Sequence, residues 1–179
     1  MKSLEAFSES FEKTLNMPDD KVKKLRIKSF DEFNKVGIPT RKHEYWKFSD
    51  PSSILKYNLE FSDSVIDIDE DYDIILCNGK IVKCQTDYKS GTLSEGVLNG
   101  DIQEDIFEIK ENPFLNLNNA FAINGCYIRL ERNSEHNIRI LNLIDNDGKE
   151  QAVYPRFVVV AEENSNVTIF EEFRVNGKG

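Results

Sequence analysis

Two histidines and three cysteines are the residues of this 179-residue sequence best suited to nucleophilic or metal chemistry. His43 and His136 lie far apart, and neither stands in a ligand spacing such as HExxH, so each reads as a structural or solvated side chain. Cys77 and Cys84 invite a disulfide or metal reading, but Asn78-Gly79 between them is a two-residue hairpin turn. That turn pairs Cys77 with Lys80 and sets Cys84 near Asp73, about four residues out of register, beyond the ~4.4–6.8 Å between disulfide Cα atoms. Cys126 has no thiol neighbour in sequence. All three cysteines read as free, small, partly buried hydrophobes, and an odd count fits a reducing cytosol. Glu162-Glu163 and Glu171-Glu172 could do acid–base work, yet 32 acids make adjacent carboxylates ordinary here.

No GxxxxGKS/T, GxGxxG or GxSxG motif occurs, so nucleotide binding and serine hydrolysis lack support. The residues therefore predict no catalytic, cofactor-binding or metal-binding site in this chain, and no enzyme. The net charge is −9. Residues 21–47 nevertheless hold nine Lys/Arg against Asp31, Glu32 and Glu44, a local +6 that leaves −15 elsewhere. An RNA-binding role for that stretch is disfavoured, because the acidic remainder would repel a phosphate backbone. A solvated helix face, or docking on the chain's own acids, is expected instead. No apolar run approaches the ~20 residues of a membrane span, and no signal-peptide core is present, so the expected compartment is the cytoplasm.

The elements follow from periodicity. Leu4, Phe7, Phe11 and Leu15 form a helical stripe, and Met17-Pro18-Asp19-Asp20 interrupts it with a capping Asp. Val22, Leu25, Phe33 and Val36, flanked by Ile27 and Phe30, predict a second helix that stops at Gly37 and cannot pass Pro39. Residues 74–84 read as a β-hairpin around Asn78-Gly79. Gly91–Gly100 reads as a loop with one short strand at 96–98. Asp101 is expected to cap a short helix to about Glu108, and Asn112-Pro113 to start another that bears Phe114, Leu117, Ala120 and Phe121. Beyond Gly125 the pattern is strands only: Cys126–Glu131, Ile138–Ile144, Phe157–Glu162 and Val167–Val175. Three segments result: a helical arm and joint (1–50), a small mixed α/β segment (51–125) and a strand region (126–179).

The joint carries the most specific signal. The run from Gly37 to Phe48, with Pro39, Thr40, Arg41, Lys42, Glu44, Trp46 and Lys47 as its marker residues, resembles a segment near the start of SufD, in the SufB/SufD family. These are scaffold proteins of the SUF iron–sulfur cluster assembly system. Asn116–Phe121, the strand from Gly125, the 74–82 hairpin and Pro155–Glu172 resemble further family elements, in family order.

The resemblance implies an α+β chain: helical arm, small mixed piece, then the first rung or rungs of a right-handed parallel β-helix. It implies a non-enzymatic, SufD-like scaffold role with SufB-like and SufC-like partners. The cluster would be cargo rather than a resident cofactor. The family's cluster-building and ATPase-docking residues have no counterparts among these residues, and coding is expected to continue past Gly179. Trp46 is expected to be largely buried, with Phe48, against the second helix or the hairpin. Val167, Ile169, Phe173 and Val175 would lie on an uncapped strand edge, disordered alone or paired with a second copy as a homodimer. The competing reading is a self-contained module whose C-terminal strands form a β-sandwich or cupin-like barrel around a small ligand. A cupin would need a histidine cluster there, and only His136 is present.

Overall fold

The computed structural model describes residues 2–16, 20–57, 59–62, 64–108, 111–122, 125–146 and 150–177. In chain order the helices and strands are α1 (Lys2–Thr14), α2 (Asp20–Val36), β1 (Glu60–Phe61), β2 (Ile74–Cys77), β3 (Lys80–Cys84), β4 (Lys89–Thr92), α3 (Leu93–Asn99), α4 (Pro113–Phe121), β5 (Cys126–Leu130), β6 (Glu135–Asp145), β7 (Gln151–Ala152), β8 (Phe157–Ala161) and β9 (Asn166–Asn176). Contacts do not part the chain at residues 50 and 125. They define two discontinuous units: Met1–Phe61 with Glu104–Phe121 and Glu150–Ala152, and Ser62–Gln103 with Ala122–Lys149 and Val153–Gly179.

The first unit is an aromatic helical core. Phe7 and Phe11 of the α1 stripe are buried, as are Val22, Phe30 and Phe33 of α2. Phe11 stacks on Phe30 at 4.2 Å, and Phe121 of α4 meets Phe11 edge-on at 5.7 Å. The outer positions of the expected α2 face, Ile27 and Val36, are exposed. Gly37 ends α2 as expected: its φ is 69°, and its N–H reaches Phe33 O at 2.6 Å. The expected break at 17–19 lies outside the described residues. Asn112 Oδ1 accepts from the Phe114 N–H at 3.0 Å, opening α4 where the Asn-Pro signal placed it. The expected Asp101 helix is only a 3-10 turn at Glu104–Phe107. β1 pairs in parallel with β7; two-residue strands carry no periodicity that a sequence could betray.

The second unit contains two sheets of order β3-β2-β6-β9 and β4-β5-β8. Asn78 and Gly79 both have positive φ, which closes the β2–β3 hairpin. A bulge after Ile75 pairs Cys84 with Ile74 rather than leaving it opposite Asp73. Ile74, Leu76, Ile138 and Ile140 of one sheet pack with Cys126, Ile128 and Leu130 of the other in one buried cluster. The opposite face of β2 and β6 buries Ile75, Cys77, Leu141 and Leu143 beneath Ile66, Ile68 and Tyr72.

The pairings β2–β6, β5–β8 and β6–β9 are all parallel. β5 and β6 stack on β8 and β9 at a constant offset of 31 residues, and so do the turns between them. Asn133 and Asn164 both take φ 59°, and Asn164 Nδ2 donates to Asn133 Oδ1 at 3.1 Å. Arg132 pairs with Glu163 at 2.7 Å across the same step. Among the described residues, antiparallel pairing is confined to the β2–β3 and β4–β5 contacts. Among the described residues no sheet closes into a barrel, so the cupin-like barrel of the competing expectation is not formed.

One local expectation fails. Residues 93–99 form α3, where a short strand at 96–98 was expected. Thr92 and Glu95 form a reciprocal capping box, and Gly100 closes the helix with φ 75°. The Thr-x-x-Glu spacing outweighs the loop-like glycines around it.

Candidate functional site

Gly37–Phe48 becomes a chain of tight turns. Ile38 and Pro39 are buried and anchor it, whereas Thr40, Arg41, Lys42, Glu44 and Lys47 are exposed. The Thr40 N–H donates to His43 Nδ1 at 3.1 Å, and the His43 N–H returns to Thr40 O at 2.9 Å. Glu44–Trp46 then makes one 3-10 turn, in which the Trp46 N–H bonds His43 O at 2.9 Å. Asp50 caps the next turn through Ser52 N–H at 3.0 Å and lies 3.8 Å from Arg41. Hydrogen bonds from Ser52, helped by Arg41, hold the Asp50 carboxyl below its ordinary range.

The burial expected of Trp46 is corrected. Trp46 is half-buried, and its ring meets Phe114 of α4 edge-on at 5.2 Å. Phe48 does not join it: Phe48 is 92% exposed and Tyr45 89%. A 3-10 turn of three residues cannot turn three neighbouring rings to one side, so one docks and two face water. A cavity of about 430 Å³ is lined by Tyr45, Trp46, Glu111 and Asn112. Arg41, Lys42 and Lys47 of the same segment are exposed, with Lys47 Nζ 5.7 Å from the centroid of the Phe48 ring. This surface offers aromatic faces and positive charge.

The second predicted region is β9. It is a full strand in register with β6 from Glu135↔Asn166 to Asp145↔Asn176, so the expectation that it is disordered alone is not met. Glu172 and Arg174 on one face are half-covered: Arg174 bonds Glu70 at 2.6 Å and Glu172 at 2.8 Å, and Tyr72 Oη bonds Glu172 at 2.6 Å. On the other face Val167 is half-buried, Ile169 is 38% exposed, and Phe173 and Val175 are 60% exposed. No strand flanks the outer edge of β9 among the described residues.

The basic stretch behaves differently from expectation at one residue. Arg26 is buried, and it contacts carbonyls rather than acids: Nε donates to Ala120 O at 2.7 Å and Nη1 to Thr14 O at 3.3 Å, with Nη2 on Thr14 Oγ1. It thereby caps the C-terminal ends of α1 and α4. Burial lowers its pKa to about 10. Lys35 and Arg41 pair locally, with Glu32 and Asp50.

The three cysteines are free. Cys77 and Cys84 are out of register, as the turn predicted. Cys84 Sγ lies 3.2 Å from Ser90 Oγ and the Cys126 thiol donates to Tyr127 O at 3.6 Å, both at one buried cluster made by the packing of two sheets. Among the described residues no group of three or more His, Cys, Asp or Glu is placed to hold a metal ion. No helix among them is long and apolar enough to cross a membrane. Compared with known proteins, the chain matches no family model and no curated sequence.

Proposed function

We propose that this chain is a SufD-like component of an iron–sulfur cluster assembly scaffold, corresponding to the amino-terminal portion and acting in the cytoplasm with SufB-like and SufC-like partners. The observation that carries the reading is the constant 31-residue parallel offset of β5–β6 upon β8–β9. That offset, with turns stacked through Asn133 and Asn164, suits successive rungs of a parallel β-helix, the architecture the sequence resemblance implies. The marker segment supports it from another direction. Residues so specific in type lie mostly exposed, as an interaction surface requires and a core does not.

In this reading the chain is a scaffold and not an enzyme, and the cluster is its cargo. The outer edge of β9, with Val167, Ile169, Phe173 and Val175 beside it, is a strand-pairing surface, completed by further rungs or by a second copy. Deleting the gene in its host tests the function. The expected result is loss of activity in 4Fe–4S enzymes such as aconitase, restored by an intact copy. Unchanged aconitase activity in the deletion strain overturns the proposal. Sizing the purified chain across a concentration series tests the β9 edge separately, since a strict monomer at all concentrations excludes the homodimer.

A further inference from the structure

Residues 64–73, Ser-Val-Ile-Asp-Ile-Asp-Glu-Asp-Tyr-Asp, lead into β2 and pair with no strand among the described residues. Ile66, Ile68 and Tyr72 pack on Ile75, Cys77, Leu141 and Leu143, the face of β2 and β6 opposite the intersheet cluster. Asp67, Asp69 and Asp71, set between them, are exposed. The segment is therefore a strap, laid over an apolar sheet face without a strand ladder to hold it. Segments of that kind open locally at lower free energy than the strands beneath them.

Charge supplies the hold. Three consecutive acids take cations from three different strands. Lys83 of β3 lies 3.7 Å from Asp69, and its Nζ donates to Glu70 O at 2.8 Å. Arg174 Nη1 of β9 donates to both Glu70 carboxylate oxygens, at 2.6 and 2.7 Å. Arg139 of β6 donates to Asp71 at 2.8 Å, and its guanidinium carbon lies 4.7 Å from the centroid of the Tyr72 ring. β3 and β9 are the two outer strands of their sheet, so Glu70 is gripped from both edges. Salt reaches these pairs: the Asp69 and Asp71 side chains are fully exposed, and those of Arg174 and Glu70 are 38% and 34% exposed. At the far end Asn78 Nδ2 donates to Ser64 O at 3.1 Å, and the fully buried Cys77 has its sulfur 3.8 Å from the same oxygen.

We propose that residues 64–72 are an ion-latched strap that opens locally while the sheet beneath stays folded, and that the grip of Lys83 and Arg174 on Glu70 controls access to the apolar face of β2 and β6. Release lifts Ile66, Ile68 and Tyr72 from that face and bares the Cys77 thiol. The hinge lies at Asp73, whose N–H bonds Arg139 O at 3.1 Å and whose carboxylate accepts from the Arg139 N–H at 2.7 Å. The latch also answers to β9. Arg174 belongs to that strand, and so does Glu172, which accepts from Tyr72 Oη at 2.6 Å. The strap therefore closes fully only when β9 lies in register on β6. The proposal is independent of the scaffold reading.

The test labels the full folded chain with iodoacetamide and follows each cysteine separately by peptide mass spectrometry. It compares ~0.1 M with ~1 M sodium chloride, between which the Debye length falls from ~10 to ~3 Å. Cys77 labelling is expected to rise at least about fivefold with salt. Cys126, fully buried in the cluster on the other face, should keep its rate and so separates local from global opening. Arg174→Gln and Glu70→Gln should each give the fast Cys77 rate already at low salt and flatten its salt dependence. Glu70→Gln alters the strap alone, which keeps the test decisive if Arg174→Gln fails to fold. Cys77 and Cys126 accelerating together would overturn local opening. A Cys77 rate indifferent to salt and to Glu70→Gln would overturn the latch, as would an equal effect from Asp67→Asn, an exposed acid outside it.

Discussion

The two units of this chain hold themselves together by opposite means. The first concentrates its stability in a few large side chains: Phe7, Phe11, Phe30, Phe33 and Phe121, with one guanidinium closing two helix ends. The second sets clusters of buried aliphatic side chains, Ile74, Leu76, Ile128 and Ile140 among them, between backbone ladders repeated at a fixed step. Concentrated packing is sensitive to single substitutions, because a cavity among rings cannot collapse. A ladder adds a different exposure: it leaves an open edge wherever the repeat stops being covered.

The largest expected effect breaks the first unit. Phe33 is fully buried against Phe7 and Phe30, so Phe33→Ala should cost ~3–5 kcal/mol in denaturant unfolding. Phe173→Ala, on the exposed face of β9, should stay within ~0.5 kcal/mol. Similar losses at both sites would abolish the contrast.

Next is Arg26. Arg26→Met keeps the stem's volume but strands the carbonyls of Ala120 and Thr14, at an expected ~2–3 kcal/mol. Arg26→Lys should recover only part, since an ammonium cannot reproduce the fork. Full rescue by Lys would mean that charge, not geometry, holds those helix ends.

Smaller effects sharpen the picture of the second unit. Asn164 occupies the left-handed region in a turn stacked on Asn133. Asn164→Ala should therefore cost ~1–2 kcal/mol, whereas Asn164→Gly should lose only its hydrogen bond, ~0.5–1 kcal/mol. Equal costs for Ala and Gly would show that backbone conformation is not what Asn supplies there.

The smallest effect is one of pH. Lys89 and Tyr127 hydrogen-bond the buried Asp101 carboxylate and hold its pKa below the ordinary value. A depressed folded pKa contributes stability that is present above the unfolded value, near ~3.9, and lost as pH falls through the folded one. Thermal melts from pH 7 down to pH 3 should therefore fall less steeply for Asp101→Asn than for the parent. Identical slopes would remove Asp101 from the acid response.

Local signals were legible wherever one residue type fixes one conformation. Asn78-Gly79 foretold its hairpin and Gly37 its helix stop, and the four late strands were found with most of their lengths. α3 was missed because glycine-rich composition hid a Thr-x-x-Glu box. Trp46 was misjudged because a hydrophobic ring does not say whether its neighbours can turn with it. Arg26 was invisible for a different reason: it joins residues that sequence sets far apart, and only tertiary packing brings their atoms together.

The parallel ladder also fixes an order of events on the ribosome. β6 needs β2 as its template, and β9 needs β6. Each template lies upstream, so it has left the exit tunnel before the strand that uses it. Every new strand therefore meets a finished edge, and assembly can advance in the direction of translation without waiting for downstream sequence. The loop closed between β6 and β9 is one 31-residue step, shorter than the connection that brings β6 back to β2.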